Sequence, residues 1–146
     1  MEQCYMFKIN EKETTRRVRE RLETARLFKR FGFIRKEVKV TATYEDMDMP
    51  RSFTGITSDP TASASIYNVD QEERLQKQYE QVMRALRMLS RRQREIIERR
   101  YLDDEDVLDT NVFVDMCISE RTYYYEKEKA LYRLAFALRL EVYEEV

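Results

Sequence analysis

Apolar residues recur along this chain with helical spacing, interrupted by polar and irregular stretches. In the first such run, Lys12 to Phe31, the residues Val18, Leu22, Ala25, Phe28 and Phe31 share one side, with arginines between them. Steps of three and four residues return a side chain to the same helix face, so the run predicts an amphipathic helix. A second run starts at Asp70, where Leu75, Tyr79, Val82, Leu86 and Leu89 follow at steps of four, three, four and three. This heptad-like seam suits either packing against the helices that follow or a dimeric coiled coil, although fewer than three heptads are present.

At Ser90 the seam breaks, and Gln93 stands three residues later. Ser-x-x-Gln is a capping-box arrangement, in which each side chain answers the other's exposed backbone N–H. A short helix from Arg91 to about Tyr101 is expected, burying Ile96 or Ile97 together with Tyr101. The acidic run "DDEDVLD" reads as a loop. The short apolar segment "TNVFVDMCI" follows, with Thr110 or Asn111 as its N-cap. Ser119 caps the last helix, which runs through "ERTYYYEKEKALYRLAFALRL". Two segments break the helical rhythm. "KEVKVTATYED" alternates Val38, Val40, Ala42 and Tyr44, which fits a short strand, an extended segment or a helix end. Met47 to Asp70 holds both prolines, one of the two glycines and many Ser and Thr, and reads as a linker or irregular loop. The pattern therefore predicts an all-α fold: a basic N-terminal helical region over 1–46, an irregular linker over 47–69 and a helical domain over 70–146.

Composition narrows the chemistry. The 146 residues include no His and only two Cys, Cys4 and Cys117, in different segments. Zinc sites of the usual ligand types, His general bases and His-based nucleophilic triads are thereby excluded. A Gly-rich phosphate loop is absent as well. No enzyme, metal or cofactor is expected. No apolar run approaches a membrane span, and the start "MEQCYMFKIN" lacks a signal peptide's apolar core. A cytoplasmic setting with free thiols follows as the expectation. The formal net charge is −1, unevenly spread: Lys8 to Lys39 carries twelve Lys/Arg against five Asp/Glu, whereas Ser90 to Val146 carries ten against fourteen. The basic face of the first helix is either a solvated surface, or a phosphate-contacting arm or partner-docking helix.

Tyr123, Tyr124 and Tyr125 pose the sharpest question. Successive helical side chains lie about 100° apart, so three neighbours cannot all be buried. Tyr123, Ala130, Leu131 and Leu134 recur at helical spacing and face inward. Tyr124 and Tyr125 then turn outward beside Glu120, Arg121 and Glu128. Two short helices joined by a few residues, the second polar at its start, form a helix-turn-helix signature.

The stretch "ALRMLSRRQREIIERRYL … VFVDMCISERTYYYEKEKALYRLA" resembles region four of bacterial sigma factors, where a leucine- and arginine-rich helix precedes a helix-turn-helix. More closely, "SERTYYYEKEKAL" resembles the Ser-x-x-Thr-Tyr-Tyr-x-x-Lys-x-x-Ala-Leu ending of the ArpU family of phage transcriptional regulators, and "MPRS" at Met49 to Ser52 fits that family's Met-Pro-Arg/Lys-Ser segment. The chain departs from the family pattern in four places: Cys117 stands at a turn position usually held by Gly, Phe113 at a small-residue position, Glu126 at an apolar one and Tyr125 where Arg or Gln is common.

The resemblance implies a sequence-specific activator of phage or prophage late genes, acting on double-stranded DNA in a bacterial cytoplasm. RNA polymerase is a further partner if the C-terminal part works as sigma region four does. The expected base-reading residues are Glu120, Arg121, Tyr124 and Tyr125, with Arg91, Arg92 and Arg94 on phosphates and Thr122 and Lys127 completing the DNA-facing set. A competing expectation is a protein-interaction adaptor in phage assembly or packaging, with the helix-turn-helix as scaffold only. The oligomeric state is left open by the sequence.

Overall fold

The structure, a computed structural model, describes residues 8–33, 35, 37, 60–103 and 105–144. Five α-helices order these residues: α1 (Glu11–Phe31), α2 (Pro60–Arg87), α3 (Arg91–Ile97), α4 (Asp109–Asp115) and α5 (Glu120–Ala137). A π-helical turn, Glu98–Leu102, continues α3. The all-α expectation holds. The alternating segment around Val38 to Tyr44 lies outside the described residues, as does 47–59.

Local chemistry sets the ends of α1. The Asn10 side chain accepts a hydrogen bond from the Glu13 N–H at 3.1 Å, supplying a partner for one of the four donors a helix start leaves open. Glu11 and Glu13 occupy the first turn and Lys29 and Arg30 the last, each sign opposing the nearer end of the helix dipole. Gly32 ends the helix at φ 64°, its N–H on the Phe28 carbonyl at 2.8 Å. That positive φ strains any residue bearing a Cβ.

Helix α2 starts earlier than its composition suggests. Residues 60–69, expected as the end of an irregular linker, are helical. Pro60 sits at the first helical position, where its fixed φ suits the helix and its missing N–H would have had no intrahelical partner. Ala62 and Ala64 then favour helix continuation. At the far end of α2 the Arg94 guanidinium donates to the Leu86 and Arg87 carbonyls at 3.0 and 3.2 Å, taking up acceptors that the helix terminus leaves open.

The predicted inward faces meet in one core. Val18, Leu22 and Ala25 of α1 pack with Val82, Ala85 and Leu86 of α2, with Leu89, Ile97 and Leu102, and with Ala130, Leu131, Leu134 and Ala135 of α5. The seam on α2 thus serves intrachain packing: Val82, Leu86 and Leu89 are buried against α1 and α5. Helix α1 is accordingly part of the same core as residues 70–146. Phe28 lies at the edge, its ring 5.4 Å from that of Tyr79, while Phe31 is 59 % exposed and not an inward residue. Past Ala25, Phe28 meets α2 through Tyr79, and Arg26 reaches Asp106 in the acidic loop.

A smaller second cluster holds Ile96, Val112 and Tyr123, flanked by Val107, Phe113, Met116 and Ile118. The two isoleucines therefore divide the work: Ile97 enters the main core, Ile96 the second. The chain ends are tied together by an isolated antiparallel bridge between Ile9 and Tyr143, supported by Asn10 N–H donating to the Val142 carbonyl at 2.8 Å. The buried Thr14 hydroxyl accepts from Val142 N–H at 3.0 Å.

Leu22→Ala should cost about 2–5 kcal/mol, because it removes a fully buried side chain from the shared core. Deleting residues 1–33 should leave no cooperative thermal transition in circular dichroism. A truncated chain that melts as sharply and as high as the whole one would show that α1 is dispensable to the fold.

Candidate nucleic-acid interface

The region that positions the three tyrosines is built from the π-helical turn, α4 and the start of α5. Helix α4 has weak ends: its N-cap is Leu108, with no side-chain cap hydrogen bond, rather than Thr110 or Asn111. Asp109, one residue later, takes the first turn instead and turns its carboxylate inward. One of its oxygens, Oδ1, accepts from Arg100 Nε at 2.9 Å, Tyr123 Oη at 2.5 Å and Lys127 Nζ at 3.0 Å. Three elements converge on one atom.

Burial alone would raise the Asp109 carboxyl, but the hydrogen bonds from Tyr123 and Lys127 and the charges of Lys127 and Arg100 outweigh it, leaving it below its ordinary value. The Tyr123 hydroxyl moves upward, first through burial and then because its proton is held by Asp109. This cluster places Lys127, expected to face DNA, inside the fold. Its side chain is 9 % exposed and stands 5.8 Å from the Tyr101 and Tyr123 ring centres. The sign of this was in the sequence. Lys127 follows Tyr123 by four residues, so it shares the inward face.

Between α4 and α5 the chain turns tightly. Cys117 adopts φ 55°, the left-handed conformation that Gly enters without strain, which accounts physically for a glycine preference at this position. Its N–H donates to the Val114 carbonyl and that of Ile118 to the Phe113 carbonyl. Phe113 packs at the edge of the second cluster, its ring centre 5.7 Å from that of Tyr123, so the cluster accommodates a large residue there. Ser119 then caps α5, accepting from Thr122 N–H at 3.2 Å and donating to the Thr122 hydroxyl at 2.8 Å.

The tyrosines divide as the periodicity requires. Tyr123 is fully buried, whereas Tyr124 is 41 % and Tyr125 55 % exposed. The outward pair is not equivalent. Tyr124 stacks edge-on against Tyr123 at 5.2 Å and lines a cleft between α1 and α5 shared with Thr15, Arg19 and Tyr132. Tyr125 stands further out, with Lys129 Nζ 4.6 Å from its ring centre. Glu120 and Arg121 are exposed at the same end of α5.

Among the expected phosphate-binding arginines, Arg91 and Arg92 are exposed at the start of α3, but Arg94 is committed to the end of α2. The capping box forms only in part. Ser90 accepts from Gln93 N–H at 3.3 Å, but the buried Gln93 side chain reaches α5, donating to Glu126 at 2.8 Å and accepting from Arg133 at 2.9 Å. Glu126, half-buried on α5, is thereby satisfied by hydrogen bonding. The acidic loop is partly neutralised too, since Asp106 accepts from Arg26 of α1 at 2.7 Å.

Among the described residues, no group of three or more His, Cys, Asp and Glu could hold a metal ion, and no helix is long and apolar enough to cross a membrane. Comparisons with family models, with curated proteins and with solved structures gave no match.

Asp109→Ala should cost about 3 kcal/mol or more, since it leaves the Lys127 ammonium buried without its counter-charge. Asp109→Asn tests the linkage. A carboxyl lowered in the folded state contributes stability above its unfolded value, about 3.9, and loses it as pH falls through the folded value. Urea unfolding at neutral pH should therefore separate wild type from the Asn variant, and the gap should close in strong acid. A gap unchanged by pH would mean that the carboxylate charge contributes nothing.

Proposed function

We propose that this chain is a sequence-specific, non-enzymatic DNA-binding protein that activates phage or prophage late genes in the bacterial cytoplasm. In this reading α4 and α5 form a helix-turn-helix of the sigma-region-four kind, and α5 enters the major groove. The observation that carries it is the exposed surface at the start of α5, where Glu120, Arg121, Tyr124 and Tyr125 stand outward on a helix whose orientation is pinned from beneath by Asp109. A carboxylate accepts from cytosine N4, a guanidinium donates bidentately to guanine, and tyrosine hydroxyls serve base edges or phosphates.

Arg91 and Arg92 supply phosphate contacts from the start of α3, whose Gln93 reaches Glu126 and Arg133 of α5. Lys127 and Arg94 take no part, being committed within the fold. Thr122 acts indirectly, through the Ser119 cap that shapes the helix start. The sigma likeness adds a contact with host RNA polymerase.

The adaptor reading draws on a different observation. Leu108 and Val114, at either end of α4, are 66 % and 65 % exposed, an apolar surface that a protein partner could cover. Selection from a random duplex pool separates the two readings, because an adaptor enriches no sequence.

Tyr125→Ala should change stability by no more than about 0.5 kcal/mol while costing roughly 1–3 kcal/mol of affinity for the selected site. Tyr124→Ala should show the same loss of affinity with a larger fall in melting temperature, because its ring rests on Tyr123. Arg91→Ala should weaken binding to all sequences alike and flatten the salt dependence by about one counterion. Failure to enrich any sequence, with salt-independent retention of DNA, would overturn the reading.

A further inference from the structure

Helix α5 is flanked on both sides, and the two flanks carry similar charge in different ways. On one side α3 packs against it through Gln93, whose side chain joins Glu126 and Arg133, and the adjacent Arg91 and Arg92 are exposed. On the other side lies α1, and the cleft between α1 and α5 is lined by Thr15, Arg19, Tyr124, Lys129 and Tyr132. A helix seated in a major groove has a sugar-phosphate backbone along each side, so cations on both flanks meet different strands.

The arginines of α1 differ in how far they are committed. Arg16 is held by Glu13 and Glu20, Arg17 by Glu13, and Arg26 by Glu23 and Asp106. Arg19 is exposed and, among the described residues, has no carboxylate within ion-pairing distance. It sits on the cleft beside Tyr124 and also borders a neighbouring depression with Arg100, Tyr101 and the carboxylates Glu20, Glu23 and Asp106, which pair with Arg16 and Arg26 instead. Glu11, Glu128 and Asp109 share the cleft without pairing to it, Asp109 being held by Arg100 and Lys127. An unpaired guanidinium keeps all five donors available in a fork that matches phosphate oxygens.

We infer that Arg19 contacts a DNA phosphate, so that α1 and α3 grip the two backbones on either side of α5. This rests on α5 being the groove-reading helix. It gives the basic N-terminal helix a role in the DNA interface itself, set by its packing in the shared core, rather than as a detached arm.

The test uses the full chain and a fluorescein-labelled random-sequence duplex, titrated by anisotropy between about 50 and about 200 mM salt. Arg19→Ala should weaken binding about threefold to tenfold and reduce the salt slope by about one counterion, with Arg19→Lys restoring the slope. Arg16→Ala, which removes an ion-paired arginine from the same helix, should leave the slope unchanged. Combining Arg19→Ala with Arg91→Ala should add their slope losses, as independent contacts require. If wild type binds with a salt slope that Arg19→Ala leaves intact, the inference fails while α5 can still read DNA. If wild type shows no salt-dependent binding, the reading of α5 fails and takes this inference with it.

Discussion

One carboxylate oxygen holds the candidate interface in place. Asp109 Oδ1 joins the π-helical turn through Arg100, its own helix α4, and α5 through Tyr123 and Lys127. Helix α4 needs this. It is seven residues long, lacks a side-chain cap and touches α5 over a small area, so neither propensity nor apolar burial alone fixes its angle. Fully satisfied polar clusters are directional where apolar packing is not. The directionality has a consequence one residue further along. With the Tyr123 ring fixed, Tyr124 and Tyr125 have no inward position available.

The elements that were legible in the sequence are those whose signal is local or periodic. Val18, Leu22 and Ala25, the α2 seam and the inward face of α5 were all given by spacing, and Ser119 and Ser90 by the chemistry of exposed N–H groups. What the sequence concealed was where each face would be spent. A basic amphipathic helix looks the same whether it docks on a partner or on its own domain, and α1 does the latter. The first turns of α2 were hidden by Ser, Thr and Pro60, residues read as loop formers although Pro is favourable at a helix start. On the candidate site, outward Tyr124 and Tyr125 were accessible from a 100° step. The inward face of Lys127 was legible too, but its pairing with Asp109 and the Arg94 contacts with the carbonyls at the end of α2 were not, because they depend on how the turns between helices fold.

Long-range pairing also alters the charge argument. A chain of net charge −1 with an acidic C-terminal half looks unsuited to a polyanion, and as a sum over residues it is. A duplex, however, meets a surface rather than a sum, and screening confines each charge to about 10 Å at ordinary salt. In this fold Asp106 faces Arg26, and Asp109 faces Arg100 and Lys127. Carboxylates near the start of α5 are therefore compensated by cations drawn from α1 and the π-helical turn. Glu120, in contrast, stands exposed at the helix start, where an acceptor for an exposed base amine is useful.

If α5 reads DNA as proposed, such an arrangement shifts the balance from strength towards discrimination. Five cations that could otherwise bind any duplex, Lys127, Arg94, Arg16, Arg17 and Arg26, are already engaged by the protein. In a DNA complex these five would be withheld from the phosphates, and non-specific affinity, which scales with the phosphates neutralised, would be lower to that extent. Among the groups left outward at the start of α5 are an acid, a base and two aromatic alcohols, whose value to a duplex depends on which edge they meet. On the proposed reading of α5, these four groups gain little from random DNA and more from a matching site. On that reading, specificity comes from what the fold has withheld as much as from what it presents.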